Sequence, residues 1–239
     1  MNPERVRTVL SDVRILPLIP LLVAACGPAP LAAPSPSATP SQAEAQSPTP
    51  SPSPAVPPGG VRFIATPFKG LATVRVAEHL AVNLVNTDAV LTSNGVEGVL
   101  TLIADGTFAP DSKMVVDMGR LQSDQSLRDR WIELFGIQTG KFKTSVFVPQ
   151  KATGLPSPLP ASGQWMFTLD GMLTVHGVTK PVSWKATASR VGRDLTGTAT
   201  ALVHWADFDI EKPQAAVTQV VSVTDDIRLE LKFVGTQAD

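Results

Sequence analysis

Few residues of this chain have the chemistry of a catalytic centre, and their spacing matches no catalytic motif. The three histidines, His79, His176 and His204, lie in neither an HExxH helix nor a nucleophile elbow. Metal binding needs ligands that converge, and no pair of candidate ligands stands at a suitable spacing. We therefore expect no enzymatic activity, metal or cofactor. A hydrolase or isomerase is a weaker alternative, and it would require at least two polar groups that converge inside a cavity.

The sole cysteine, Cys26, ends an apolar stretch over residues 15–25 that follows several arginines. This stretch has the length of a signal-peptide core and is too short to span a bilayer as a helix. The sequence Val23-Ala24-Ala25-Cys26 resembles a bacterial lipobox, in which the cysteine is acylated and becomes the new N-terminus. We predict a lipoprotein signal over residues 1–25, lipidation at Cys26 and an extracytoplasmic protein anchored to the bacterial cell membrane. An ordinary secretory signal is the alternative.

A linker rich in proline and serine is predicted over residues 26–60. Half of the 22 prolines lie between Pro28 and Pro58. Such a composition cannot bury a core and favours disordered, extended polyproline II chain. At about 3.1 Å per residue the linker would reach roughly 100 Å. We predict a spacer that lifts a single domain over residues 61–239 away from the membrane.

Alternating apolar and polar residues predict a succession of strands in this domain. The segment from Trp165 to Ala188 predicts a hairpin whose turn is His176–Pro181, with Gly177 giving turn freedom and Pro181 ending regular pairing. A proline-rich loop, Pro149–Ser162, precedes it. Further strands are predicted at 61–65, 72–77, 84–91, 98–103, 113–118, 144–148, 195–205 and 223–233. With eight or more strands and one helix, the domain is mainly β, a closed antiparallel barrel or a sandwich.

One segment has helical periodicity instead. It begins with the favourable N-cap residues Ser123 and Asp124 and ends near Gly136. Arg128 and Arg130 lie on its polar face. They form either the solvated face of a connecting helix or the mouth of a cavity, where they would contact a polar head group.

The segment DGMLTVHGVTKPV over residues 170–182 resembles the signature hairpin of the YceI-like family. Residues 141–147 resemble the phenylalanine-bearing strand of that family, and residues 206–210 resemble its S-D-F-G-I segment, with Asp209 in place of glycine. The resemblance implies a lipocalin-like antiparallel barrel of about eight strands with a long apolar cavity. It also implies an exported protein that binds amphiphiles with isoprenoid tails.

These features predict a membrane-tethered carrier or scavenger of an isoprenoid or other long-tailed amphiphilic lipid. A net charge of −1 argues against nucleic-acid binding. The alternative is a surface protein-interaction module whose barrel is filled by side chains. Alternation places eight residues on the inner face, and the resemblance implies that they line the cavity: Phe147, Trp165, Phe167, Leu169, Trp184, Leu229, Leu231 and Phe233.

Overall fold

The structure is a computed structural model that describes residues 56–80, 86–213 and 220–238. Cys26 and the linker before residue 56 lie outside the described residues, so the signal and lipidation remain predictions. The described chain contains one α-helix, α1 (Ser126–Leu134), and two short 3-10 helices, Met118–Arg120 and Trp205–Phe208. Its ten strands are β1 (Val61–Ala65), β2 (Leu71–Leu80), β3 (Asn86–Ser93), β4 (Val96–Leu102), β5 (Lys113–Asp117), β6 (Thr144–Thr153), β7 (Ser162–Val175), β8 (Val178–Val191), β9 (Asp194–His204) and β10 (Val220–Gln237).

Eight of these strands close into an antiparallel barrel, which confirms the predicted fold class. The ring runs from β1 to β4, continues in chain order to β10, and closes where β10 pairs with β1. The 18 residues of β10 allow it to pair with β2 over residues 220–232 and with β1 over residues 235–237. Consequently β1 and β2 lie end to end along β10, and β3 pairs with the other edge of β2.

The alternation of the sequence becomes an inner and an outer face of the barrel. In β8, Val182, Trp184 and Ala186 are buried, whereas Ser183 and Lys185 are exposed. Successive residues of a strand point to opposite sides, so the apolar set enters the interior as a group. Each fully buried large apolar side chain contributes about 1.5–3 kcal/mol to stability.

The hairpin of β7 and β8 turns at His176 and Gly177, whose φ angles are 52° and 79°. Two residues with positive φ form the tight turn that matches strand twist, and Gly177 adopts such an angle without strain. His176 Nδ1 lies 3.2 Å from the carbonyl oxygen of Phe208, which links the turn to the second 3-10 helix. The prediction that Pro181 ends pairing is wrong, since it pairs with Met172 inside β8. Proline is tolerated there because β8 has no β9 partner before Lys185.

The predicted loop Pro149–Ser162 is also shorter than expected. Strand β6 continues to Thr153, which leaves residues 154–161 as the connection to β7. Pro149 pairs with Gly171 at a shift of register that ends at Lys151. A bulge is a position where the missing N–H of proline costs little, so the proline lies within the strand.

Helix α1 is shorter than its predicted limits at both ends. Ser123 and Asp124 precede it, and Gln125 occupies the N-cap position without a side-chain cap. Ser123 instead donates its backbone N–H and its hydroxyl to the Asp129 carboxylate, at 2.8 and 2.7 Å. These two hydrogen bonds satisfy the Asp129 carboxylate and hold the segment before α1 against the first turn of the helix.

Candidate functional site

An apolar cavity of about 120 Å³ lies inside one half of the barrel. Its walls come from the inner faces of β2, β3 and β5–β10, and its cap comes from the α1 segment and the second 3-10 helix. The lining includes Val76, Leu91, Met114, Leu173, Val203 and Ile227. Such a surface offers burial to an apolar group but few polar contacts.

The cap is held over the cavity by aromatic and aliphatic packing. Ile132 of α1 is buried and lines the cavity, as does Ile137 just beyond the helix. Trp131 meets Trp205 edge to face, with ring centroids 6.5 Å apart. The Trp205 indole N–H donates to the carbonyl oxygen of Thr224 at 2.9 Å. This geometry fixes both short helical elements against the start of β10.

A second aromatic pair lies deeper in the barrel. Phe147 and Trp184 are both buried, and their rings meet edge to face with centroids 5.5 Å apart. The Phe147 ring lies directly against Gly171 of β7, where any side chain would overlap it. Both rings line the cavity. The pair therefore forms a rigid part of the wall rather than an adjustable one.

Four of the eight residues predicted to line a cavity do so: Phe147, Trp184, Leu229 and Leu231. The other four, Trp165, Phe167, Leu169 and Phe233, lie outside its lining. Phe233 is buried in the core, whereas Phe167 and Leu169 are half-buried and lie against that core. Trp165 stands near the start of β7, beside the connection over residues 154–161.

The connection over residues 154–161 is held against the barrel by apolar contacts and by Arg190. Leu155 and Leu159 of the connection contact the core. Arg190, itself buried, donates to the carbonyl oxygens of Leu159 and Pro160 at 3.3 Å and has its guanidinium over the Phe63 ring. Burial lowers the pKa of Arg190 from its ordinary value.

The two arginines predicted at the cavity mouth have different surroundings. Arg128 forms an ion pair with the buried Glu78 of β2 at 2.9 Å and a second one with Asp124 at 2.6 Å. Arg130 is exposed and pairs with Glu133 at 3.4 Å. Neither arginine lines the cavity. Arg128 instead joins the cap to the barrel wall.

A surface groove of about 570 Å³ borders the cavity between the first 3-10 helix and α1. Met118, Leu121 and Ile132 line both spaces and form the partition between them. The outer side of the groove is polar and includes Arg130 and Lys143 together with the carboxylates of Asp117, Asp129 and Glu133. An amphiphile could therefore place its apolar part beyond the partition and its polar part in the groove.

Comparison with known proteins places the chain in a family. The model of the YceI-like domain matches residues 72–235. The chain belongs to the YceI-like family. A UPF0312 protein of Pseudomonas fluorescens (strain SBW25) is 33% identical over 141 residues, which cover 53% of this chain and 68% of that protein. A UPF0312 protein of Pseudomonas putida (strain GB-1) is 32% identical over 126 residues, 46% of this chain and 62% of that protein.

Solved structures share the fold of this YceI-like domain at low sequence identity. A polyisoprenoid binding domain from Saccharophagus degradans, implicated in plant cell wall breakdown, has a TM-score of 0.56 at 9% identity and covers 74% of this chain and 98% of its own. BcnA of Burkholderia cenocepacia has a TM-score of 0.54 at 15% identity and covers 72% of this chain and 99% of its own. Both likenesses show the fold alone.

Several cavity residues of the YceI-like domain had a sequence signal that was not used. Val74 and Val76 alternate with polar residues in β2, and Phe208 belongs to the segment over residues 206–210 that carries part of the family resemblance. Ile132 lay within the predicted helix. The sequence does not indicate that the strands and helices that carry these residues surround a single cavity.

Within the described ranges, no three His, Cys, Asp or Glu side chains are grouped so as to hold a metal ion. Nor is any helix in the described part of the chain long and apolar enough to cross a membrane. Asp207 accepts the backbone N–H of His204 at 2.7 Å and thereby caps the second 3-10 helix.

Proposed function

We propose that this YceI-like domain binds a long-tailed amphiphilic lipid, of the isoprenoid class, and inserts an apolar part of it into the cavity beneath α1. The observation that carries the proposal is the apolar space inside the barrel beneath α1. The fold likeness to a polyisoprenoid binding domain supports it. Each CH₂ that leaves water on binding contributes about 0.8 kcal/mol, so a tail supplies affinity without polar contacts.

The size of the cavity limits how much of the ligand it holds. Pockets that enclose a whole small-molecule ligand usually measure roughly 300–1,000 Å³, whereas this cavity measures about 120 Å³. A long tail must therefore displace side chains or extend into the adjoining groove. The flexible Met118 is the partition residue best able to move, since methionine adapts readily to new surroundings. Arg130 and Lys143 of the groove would then meet the polar head group.

We further propose that Cys26 carries acyl chains that tether the protein to the outer side of a bacterial cell membrane. The lipobox and the proline-rich spacer support this part of the proposal. A tether would keep a lipid-binding domain close to a source of its ligand, and several acyl chains on one residue give stable anchoring. The protein would then carry or scavenge lipid outside the cytoplasm.

Native mass spectrometry of protein purified from its own host tests the binding proposal, because a bound lipid adds a defined mass. Val116 of β5 lines the cavity, while its neighbour Val115 lines a separate surface pocket. We expect the lipid adduct to be lost in Val116→Phe, which fills the cavity, and retained in the matched control Val115→Phe. Repeated preparations without an adduct, and without binding of added polyprenol or prenylquinone, would defeat the proposal.

The alternative, a surface interaction module, has one observation in its favour. Helix α1 and its C-cap expose Leu127, Leu134 and Phe135, with 58%, 44% and 65% of their surface accessible. Exposed apolar clusters often mark interaction sites. The alternative would be favoured by two results together. The unchanged protein would bind no lipid, and changing these three residues to serine would abolish its function.

A further inference from the structure

Helix α1 carries apolar side chains on the side that faces solvent as well as on the side that faces the barrel. Ile132 is buried and lines the cavity. At about 100° per residue, Leu127 and Leu134 lie on the opposite side of the helix, and both are exposed, as is Phe135 at the C-cap. The solvent side of a surface helix is normally polar. An exposed apolar group of this kind marks a contact surface, here called the outer apolar face of α1 and made of Leu127, Leu134 and Phe135.

The charges near this face are almost balanced, with a small excess of cations. Arg130 pairs with Glu133, whereas Lys141 and Lys143 are exposed and take part in no ion pair among the described residues. Apolar contacts must therefore supply most of the attraction to a partner, and the two lysines add a preference for an anionic one. Residues 124–143 contain four basic side chains, Arg128, Arg130, Lys141 and Lys143, and three acidic ones, Asp124, Asp129 and Glu133.

The outer apolar face lies at one end of the barrel, and the described chain begins at the other. Trp131 of α1 contacts Trp205, whose indole N–H donates to Thr224 near the start of β10. In contrast, Phe63 of β1 pairs with Gln237 at the end of β10. The linker, which precedes β1, therefore enters the barrel at the end away from α1.

The linker is long enough to let the α1 end of the barrel reach the membrane. The 18 residues of β10 span roughly 60 Å at about 3.3 Å per residue, whereas the linker reaches roughly 100 Å. A domain tethered at Cys26 can therefore turn so that the outer apolar face meets the same bilayer. The tether also keeps that bilayer nearby, which raises its effective concentration above that of a dissolved partner. A lipid surface is thus favoured over a protein as the occupant of this face.

We propose that the outer apolar face of α1 docks on the surface of a lipid bilayer and inserts Leu127, Leu134 and Phe135 into the interfacial layer. Helices that lie on membranes bury an apolar face in this way. The inference goes beyond the proposed function, which concerns the cavity, because it assigns a membrane contact to the folded domain itself. Docking brings α1, which covers the cavity, into contact with a source of lipid.

Sedimentation with vesicles tests the inference in a chain without acyl groups, because an acyl anchor would hold every variant on the vesicles. The protein is residues 26–239 with Cys26→Ser, and the vesicles contain equal parts of phosphatidylcholine and phosphatidylglycerol. We expect this parent chain to sediment with the vesicles. The outer-face variant, which combines Leu127→Ser, Leu134→Ser and Phe135→Ser, should bind roughly tenfold more weakly or worse, because three apolar side chains no longer leave water on docking.

A matched control changes three exposed apolar residues on β1, β7 and β8 instead: Ile64→Ser, Met166→Ser and Val191→Ser. Their exposed fractions are 47%, 81% and 73%, so the control removes at least as much exposed apolar surface as the outer-face variant. We expect the control to bind vesicles as the parent chain does. Circular dichroism checks that both triple variants keep the β fold.

Hydrogen exchange of the parent chain gives a second measurement, which does not depend on how well the triple variants fold. Vesicles should slow the exchange of backbone amides in α1 and in residues 135–137, since docking excludes water from this segment. The amides of the β7–β8 hairpin should exchange at the same rate with and without vesicles.

The outcomes separate this inference from the proposed function. The inference is overturned if the parent chain does not bind vesicles, if the outer-face variant binds them equally well, or if the control loses as much binding. A dimer that only the outer-face variant dissociates, with no vesicle binding, would assign the face to a second copy of the chain. A lipid adduct in a chain that does not bind vesicles removes only this inference, whereas vesicle binding by a chain without any adduct removes only the proposed function.

Discussion

Removing Arg128 should destabilise the protein far more than removing Arg130, which lies two residues further along α1. Arg128 joins α1 to β2 through its ion pair with Glu78, and the two side chains are 13% and 6% exposed. Loss of one partner of a buried pair leaves the other charge uncompensated, which typically costs about 3–5 kcal/mol. Because Arg128 keeps some solvent contact, we expect the low end, about 3 kcal/mol.

Arg130 provides the control because it lies on the same helix and also pairs with a carboxylate. Its side chain and that of Glu133 are 66% and 52% exposed. An exposed pair of this kind contributes about 0.5 kcal/mol or less. We therefore expect Arg130→Ala to leave the urea midpoint almost unchanged, whereas Arg128→Ala lowers it strongly. Tryptophan fluorescence and circular dichroism both report the transition.

A double variant distinguishes the cost of the uncompensated Glu78 charge from the cost of losing the Arg128 side chain itself. Replacing both partners, Glu78→Leu with Arg128→Met, removes the buried charge together with its counter-charge and should restore most of the stability. The reasoning is refuted if Arg128→Ala is as mild as Arg130→Ala. It is also refuted if the double variant is less stable than Arg128→Ala, since the uncompensated Glu78 would then not be the cause.

Three further predictions concern packing, titration and the tether. Gly171→Ala should destabilise the domain by about 1–3 kcal/mol, because the new Cβ would overlap the Phe147 ring and the adjacent backbone. The control Gly140→Ala should not destabilise it, because a Cβ at Gly140 meets no atom within 4 Å. Equal thermal midpoints of the two variants would contradict this prediction. Hydrogen bonds from Thr107 lower the pKa of Asp105, and the resulting stabilisation, present above the ordinary carboxyl pKa, is lost as pH falls through the lowered value. Thr107→Val should therefore raise that pKa in an NMR titration, and an unchanged titration would show that these bonds are not the cause. Cys26→Ser should remove the acyl mass and release the protein from the membrane fraction; persistent anchoring would show that the tether lies elsewhere.

The sequence by itself determined the strands, their faces and the family. Period-2 alternation placed Trp184 and Leu229 on the inner side, and the hairpin around His176 and Gly177 carried the resemblance that the family match confirms. These properties are local, because backbone geometry alternates side chains regardless of what lies opposite. The sequence did not determine the limits of the strands. Proline usually ends a strand, but it is tolerated within one at a bulge or where one edge has no partner strand.

Only the tertiary structure decided which inner-facing residues meet open space. Trp165 and Leu173 lie on the same face of β7, yet only Leu173 lines the cavity. Alternation specifies the face of a strand but carries no information about position along the barrel axis, and therefore none about which inner-facing residues lie beneath α1. The partner of Arg128 is likewise a long-range fact: Glu78 lies 50 residues away in sequence. Such contacts depend on how the barrel closes, and closure is a property of the whole chain.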